Sequence, residues 1–500
     1  MEYPVWDVGI AYGLLMAIVA VSHVFLSHFA IGGGLALVLG ERRARLDGDA
    51  ALLAHVRRLS AFFAPATLVV GALTGVAIWF VIGLLNPSAT GTLIRTFVWA
   101  WAIEWTFFLV EILAAILYAR GWDRLSPRVH EAFGWIYFVA AWLSLAVIDG
   151  IVSFMLTPGR WVETGSFWDG FLNPTYLPSL ALRTAICLLM AGLFGGFVAL
   201  RTPDAAARAR LVRADARVGL AGLAAAVGTF YLYRASIPAE FTDAVATRLP
   251  VAARALARVH LLSGLLAAGF LLLLVLPRVA GRTTAIAMLL AGFAWFGSFE
   301  WYREAARKPY AIAGVVYGNG LEVGTTAAYA KDGFLPAVEV RTGDDGRDLF
   351  LHQCRACHTL TGYNPVLRAF AGTDPAFAAG VLGGLHKMRG RMPPFHGTAR
   401  ERETLARWLV ERADATPLAA QARRDGRDLG EVVYATRCGR CHVEGGFNDK
   451  SATFAGLSEA EVRDALTLEN DEMPAFSGTD EEREALVRHL VGLSKKGGAK

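Results

Sequence analysis

The first 300 or so positions of this 500-residue chain are filled by apolar runs too long and too closely spaced for a soluble fold. Windows of about 19 residues find eight of them, near 8–40, 60–85, 97–119, 131–156, 179–200, 217–233, 253–277 and 283–302. Each can cross a hydrocarbon layer of ~30 Å as a helix. The first run is too long for a signal-peptide core and lacks a small-residue cleavage site, so it reads as a retained span. With 54% hydrophobic and 19% charged residues, a wholly soluble or disordered protein is excluded. Five cysteines in this length also exclude a disulfide-stapled scaffold.

Arginine placement gives the orientation, because cytoplasmic loops are enriched in Lys and Arg. Segments 41–58, 119–129, 201–217 and 277–282 hold fifteen arginines, including Arg42, Arg57, Arg120, Arg213 and Arg278; the alternating segments 1–9, 85–96, 157–178 and 234–252 hold four. The N-terminus is therefore expected on the periplasmic side of a bacterial inner membrane. Eight crossings return everything beyond about residue 302 to that side. The net charge of +5 largely records these loops and gives no support for nucleic-acid binding.

From about 340 the composition changes to charged residues, Gly and short amphipathic stretches. "DGRDLFLHQCRACH" at 345–358 is echoed by "DGRDLGEVVYATRCGRCH" at 425–442, and each copy closes on a helix-like stretch, "RERETLARWLV" or "EEREALVRHLV". The expected fold is all-α: a polytopic membrane bundle over 1–312, a linker over 313–341, a first small helical module over 342–413, a linker over 414–424 and a second module over 425–495.

Four of the five cysteines lie in Cys354-Arg355-Ala356-Cys357-His358 and Cys438-Gly439-Arg440-Cys441-His442. C-x-x-C-H is the attachment signature of c-type haem, in which two thioethers hold the porphyrin and the histidine ligates iron. An isolated C-x-x-C could instead be a redox dithiol or half of a zinc site. The following histidine, the duplication and the outward topology favour two covalently bound haem c groups held by Cys354, Cys357, Cys438 and Cys441, with His358 and His442 on iron. Met392 in "GRMPPF" and Met473 in "DEMPAF" are the expected sixth ligands, and a thioether opposite His suits electron transfer. Met388 competes with Met392, and any Met can be a core gap-filler. His352, His386, His396 and His489 are expected at the surface, and Cys187 as a small apolar residue within a span.

An ionisable group inside a span costs at least ~2.5 kcal/mol on insertion scales, so each needs a partner or a purpose. His23 and His28 lie in the first run, Glu104 and Glu111 in the third, Asp149 in the fourth, Arg183 in the fifth, His260 in the seventh, and Glu300, Arg303 and Glu304 at the end of the eighth. Helical rise places Glu104, Asp149, Arg183 and His260 at similar depth, where they could form one buried cluster. The alternative is a set of salt bridges that only stitches helices together. His55 and His130, at the cytoplasmic ends of spans, are expected to be interfacial.

These residues together resemble subunit I of the cytochrome bd oxidase family, from the first span to about residue 312. "AIEWTFFLVEILAAILYARGWDRLS" is similar to the family's third span, with its two acids and closing GWDRLS. "LSLAVIDGIVSFMLTPG" resembles the next span, with Asp149 where the family usually has Asn. "HVFLSHFAIGGG" places His23 at the first-span haem-ligand histidine, and "REAARKPYAI" resembles the Gly-Arg-Gln-Pro-Trp region. The resemblance implies haem b and a third haem, often d, in the bundle, with oxygen reduced to water. It implies that His23 holds the oxygen-reactive haem and Glu304 the neighbouring high-spin haem. It gives Glu104, Glu111 and Asp149 proton delivery or charge compensation, and it implies a second membrane subunit.

Three departures stand out. Arg183 replaces the fifth-span histidine of the low-spin haem; it has no lone pair for iron and is expected to pair with a propionate or a carboxylate. His260 replaces the opposing Met, so it is a candidate ligand without an identified partner. The long outer loop of the quinol site between spans six and seven is missing. The expected function is therefore an oxidoreductase that reduces oxygen with electrons from a periplasmic c-type cytochrome or other soluble redox carrier. The alternative is a non-oxidase subunit that exchanges electrons with a quinone or a partner subunit and exports them through the c haems. A gas sensor without turnover would need no intramembrane acids.

Overall fold

The computed structural model describes residues 8–388, 391–444, 446–467 and 476–497, without the side chains of 494–497. Among them, eight helices are long and apolar enough to cross a membrane: Tyr12–Leu46, Ala50–Leu85, Val98–Gly121, Pro127–Phe154, Tyr176–Ala199, Ala205–Ser236, Pro250–Val275 and Arg282–Arg307. They match the eight apolar runs, but the second and sixth begin some ten residues earlier than hydropathy alone indicated. Asp49 and Asp204 explain this: each side chain accepts from an amide in the first turn, at Leu52 and Ala207, so helix runs on through Ala- and Arg-rich sequence.

The arginine-rich connections gather at one end of the bundle. Arg57 pairs with Asp123, Arg210 with Asp49, and Arg42 with Glu131 at 3.6 Å. This end buries two histidines expected at the interface, His55 and His130, because each meets an acid from another span: His55 lies 3.6 Å from Asp215 and His130 2.8 Å from Glu41.

Small residues let the central spans touch. A Cβ on Gly32 would lie 1.8 Å from the Cys187 carbonyl oxygen, and one on Gly222 would lie 2.3 Å from the Leu189 amide, so the fifth span packs backbone-close against the first and the sixth. Without a hydrophobic drive between helices in lipid, such contacts carry much of the association. Gly222→Leu is expected to force spans five and six apart and cost about 1–3 kcal/mol of overpacking. Thermal unfolding of detergent-solubilised protein should show a lower midpoint, and an unchanged midpoint would contradict this packing.

Beyond the bundle a short antiparallel hairpin, Tyr310–Ile312 with Val316–Tyr317, leads into the two modules. The stretch expected as a linker, 313–341, is instead packed. Leu321, Phe334, Leu335 and Val338 join the first module's core beside Leu349, Phe350, Leu405 and Leu409. The buried Glu401 accepts from the amides of Phe334 and Leu335 at 2.9 and 2.7 Å. Leu418 and Ala422, from the second expected linker, join Val433, Val462, Leu486 and Leu490 in the other module. A domain this small needs every apolar side chain within reach to close its core. The same wrapping buries His396, whose Nε2 lies 2.9 Å from the Thr326 hydroxyl, and His352 is buried against Phe334. Neither is the surface residue expected from sequence; His386 is exposed.

Candidate haem and proton sites

Both C-x-x-C-H segments fold into the same turn. The amides of Cys357 and His358 reach the Cys354 carbonyl at 3.1 and 2.9 Å, and those of Cys441 and His442 reach the Cys438 carbonyl at 3.0 and 2.9 Å. His358 Nδ1 stands 3.1 Å from the Asn364 carbonyl, and His442 Nδ1 3.1 Å from that of Asn448; both asparagines adopt left-handed φ, at 51° and 50°. A backbone carbonyl on Nδ1 fixes the tautomer and leaves Nε2 free for iron, as haem attachment requires. Burial lowers the pKa of both histidines, favouring the neutral ring that a ligand needs.

The competing dithiol chemistry fits poorly. Burial pushes the Cys354 and Cys438 thiols up to about 12, whereas a redox dithiol needs a lowered value. Among the described residues no group of three or more His, Cys, Asp or Glu is placed to hold a metal ion. Met392 lies part-buried in a segment without regular secondary structure, and Met388 is buried, as a gap-filler would be. Met473 lies outside the described residues.

The first module is seated on the end of the bundle opposite the arginine-rich loops. The Gly13 amide, at the start of the first span, donates to the Ala356 carbonyl inside the attachment motif at 3.1 Å. The Arg355 guanidinium lies over the Tyr12 ring at 5.5 Å. Arg391, next to Met392, donates to the Ala306 carbonyl at 3.0 Å, and Arg248 donates to the Met388 carbonyl at 2.5 Å. Within the second motif Arg440 donates to the Ala369 carbonyl of the first module at 2.8 Å.

Inside the bundle, Arg183 is 5% exposed and Asp149 1%. Arg183 Nε donates to Asp149 Oδ1 at 2.8 Å and its Nη2 to Glu300 Oε1 at 3.2 Å, while Arg303 Nε donates to Glu300 Oε2 at 2.7 Å. Glu304 follows, paired with Arg307 at 2.6 Å. Arg183 thus pairs with carboxylates, one of the two partners expected for it. The anticipated four-residue cluster does not form as drawn. Glu104 accepts instead from Ser144 at 3.1 Å, and His260 Nε2 lies 3.1 Å from the Tyr231 hydroxyl. Ser144 and Asp149 are five residues apart, about 140° around the helix, so Glu104 and Arg183 meet different sides of the fourth span.

His260 lines a cavity of about 220 Å³ with Tyr231, Phe230, Ser263, Trp295 and Phe299. Arg183 is not on its wall, and no lining residue offers iron a second strong ligand. A low-spin haem between these two positions does not fit the residues present.

His23 fits a haem-ligand role better. It faces the π-helical turn Ala66–Gly71 that follows Pro65 in the second span, with Nδ1 3.1 Å from the Gly71 carbonyl and 3.2 Å from the Thr74 hydroxyl, and Nε2 3.2 Å from the Ser27 hydroxyl. His28, which sequence reading passed over as a ligand, is buried, with Nδ1 2.6 Å from the Val24 carbonyl. Its Nε2 has no partner among the described residues, and the five-residue spacing from His23 was the only sequence signal for it. Glu111 accepts from the Tyr137 hydroxyl at 3.1 Å.

Residues 13–232 match the family model described as cytochrome bd terminal oxidase subunit I. Residues 341–409 and 427–490 each match that of cbb3-type cytochrome c oxidase subunit III. No curated protein matches the chain. Among solved structures, the bd oxidase from Geobacillus thermodenitrificans is similar at 13% identity and a TM-score of 0.53, over 60% of this chain and 87% of that one, a likeness of fold. The chain therefore joins a cytochrome bd subunit I domain in its N-terminal region to cbb3-type cytochrome c domains at its C-terminus.

Proposed function

We propose that this chain is the electron-accepting and oxygen-reducing subunit of a membrane respiratory oxidase, supplied by a periplasmic c-type cytochrome. The observation that carries this reading is the seating of the first attachment motif on the first span, through Gly13, Ala356, Arg355 and Tyr12. Haem c bound at the two motifs would supply one-electron transfer, and haem b in the bundle a place for oxygen to accept electrons. The chain's own residues do the rest. Arg391 and Arg248 pin the segment that carries Met388 and Met392 to the bundle end, holding the first module in one pose. Glu111 and Glu104 hold protons within the spans, the first against Tyr137 and the second against Ser144. The end bearing the modules faces the periplasm, because the arginines gather at the other.

A second reading, electron exchange with a quinone or partner subunit and export through the c haems, draws on one observation. Arg183 is taken up by Asp149 and Glu300, which removes the family's low-spin ligand pair. Optical spectra of the reduced protein with and without carbon monoxide separate the two. Oxygen reduction needs an open iron position, so a carbon monoxide-responsive component is expected, lost in His23→Ala while the c-type bands remain. A reduced spectrum that carbon monoxide leaves unchanged would overturn the oxidase reading.

A further inference from the structure

Glu41 and His130 are fully buried at the arginine-rich end of the bundle, where water is only a turn or two away. The Glu41 carboxylate accepts from the Tyr118 hydroxyl at 2.9 Å, from Arg45 Nε at 2.8 Å, and from His130 Nδ1 at 2.8 and 2.9 Å. His130 Nε2 lies 2.8 Å from the Tyr118 carbonyl, and the two rings stack at 4.2 Å. Both nitrogens of the ring therefore face acceptors, so an added proton there finds a partner without rearrangement. Arg45 opens the cluster to solvent, with 29% of its side chain exposed. Burying such charges costs several kcal/mol per ion, which a helix end could avoid by turning them outward.

A void of about 10 Å³ adjoins this cluster, its wall mostly apolar, from Leu37, Phe63, Ala115 and Ala119, with Tyr118, Tyr137 and Ser60 as its hydroxyl-bearing residues. That is about the space that one water requires. Tyr137, on the same wall, donates to Glu111 at 3.1 Å. Glu111 stands two helical turns from Glu104 on one face of the third span. Hydrogen-bonding groups thus run from the arginine-rich surface to Glu111 with one gap, between Tyr118 and Tyr137, and both tyrosines line the void.

We infer that Glu41, His130 and Tyr118 form the proton entrance of the bundle, handing protons through one water in this void to Tyr137 and Glu111. The inference rests on the oxygen-reduction reading, which requires protons at those acids. Each hop moves one proton. The Tyr118 hydroxyl, which donates to Glu41 at rest, turns to pass its proton to the water and then accepts one from the Glu41–His130 pair, which is recharged from solvent; Tyr137 passes its proton to Glu111 and regains one from the water. The Glu111 carboxylate ends as the acid, and the relay resets when Glu111 yields that proton inward.

Tyr118→Phe keeps the ring stack and removes only the hydroxyl, and Glu41→Gln keeps the shape and removes the charge. The full chain with its haems, reduced and mixed with oxygen in a stopped-flow cell containing a pH dye, reports proton uptake directly. Both variants are expected to slow uptake by about tenfold or more, as for loss of a positioned proton donor. Reduction of the c-type bands by the electron donor should keep its wild-type rate, which a general loss of structure would not allow. Wild-type uptake rates in both variants, or in Tyr118→Phe alone if Glu41→Gln does not fold, would overturn the entrance. A wild-type protein that takes up no protons would overturn the oxygen-reduction reading and the entrance with it.

Discussion

Arg183→Met is expected to destabilise the bundle by about 3–5 kcal/mol, the cost of removing one partner from a buried ion pair. Arg183 is the sole link between Asp149 on the fourth span and Glu300 on the eighth in the hydrogen bonds described, at 2.8 and 3.2 Å. Without it, Asp149 keeps only Ser179 at 2.9 Å, and its Oδ2 already has no hydrogen-bond partner among the described residues. Glu300 fares better, because Arg303 holds its other oxygen. The greater share of the loss therefore falls on Asp149, and adding Asp149→Asn to Arg183→Met should recover much of it. Thermal unfolding in detergent reads both variants. A melting midpoint for Arg183→Met equal to that of the parent would show that the network carries no stability.

The second large effect concerns cofactor content. Cys438→Ser with Cys441→Ser removes both thioether positions of the second motif, and covalent haem c should fall from two per chain to one. The fold of that module should survive, since its core is built from Val433, Val462, Leu486 and Leu490, and its tie to the first module runs through Arg440 and Arg437 rather than the thiols. Pyridine haemochrome absorbance per mole of chain, after extraction of non-covalent haem, measures this. Unchanged covalent haem would mean that the second motif does not attach one.

Features encoded along one helix or one loop were legible in the sequence. Eight apolar runs gave eight spans, because length and hydropathy suffice for that. The two C-x-x-C-H turns were equally plain, since the cysteines, the histidine and the asparagine carbonyl that orients it lie within about ten residues of one another. Groups that meet across helices were not, because the meeting depends on how each helix is rotated. Asp149 and Arg183 share a depth with Glu104 and His260, yet only the first two touch. Glu41 looked like part of an arginine-rich loop, "GERRAR", and nothing local shows that it turns inward to His130. The stretches 313–341 and 414–424 looked like linkers because their apolar residues are scattered, and only the modules' need for core material gives those residues a place.

The claim that electrons pass from the c-type modules to oxygen through the bundle is tested most directly by a single turnover. The fully reduced chain, mixed rapidly with oxygen in the absence of any donor, is followed at the c-type α band. Wild-type c haems should oxidise together with the bundle haems, and in His23→Ala they should remain reduced many-fold longer, the attachment motifs being intact. Equal rates of c-haem oxidation in the two proteins, or c haems that stay reduced in the wild type, would contradict oxygen reduction at the bundle.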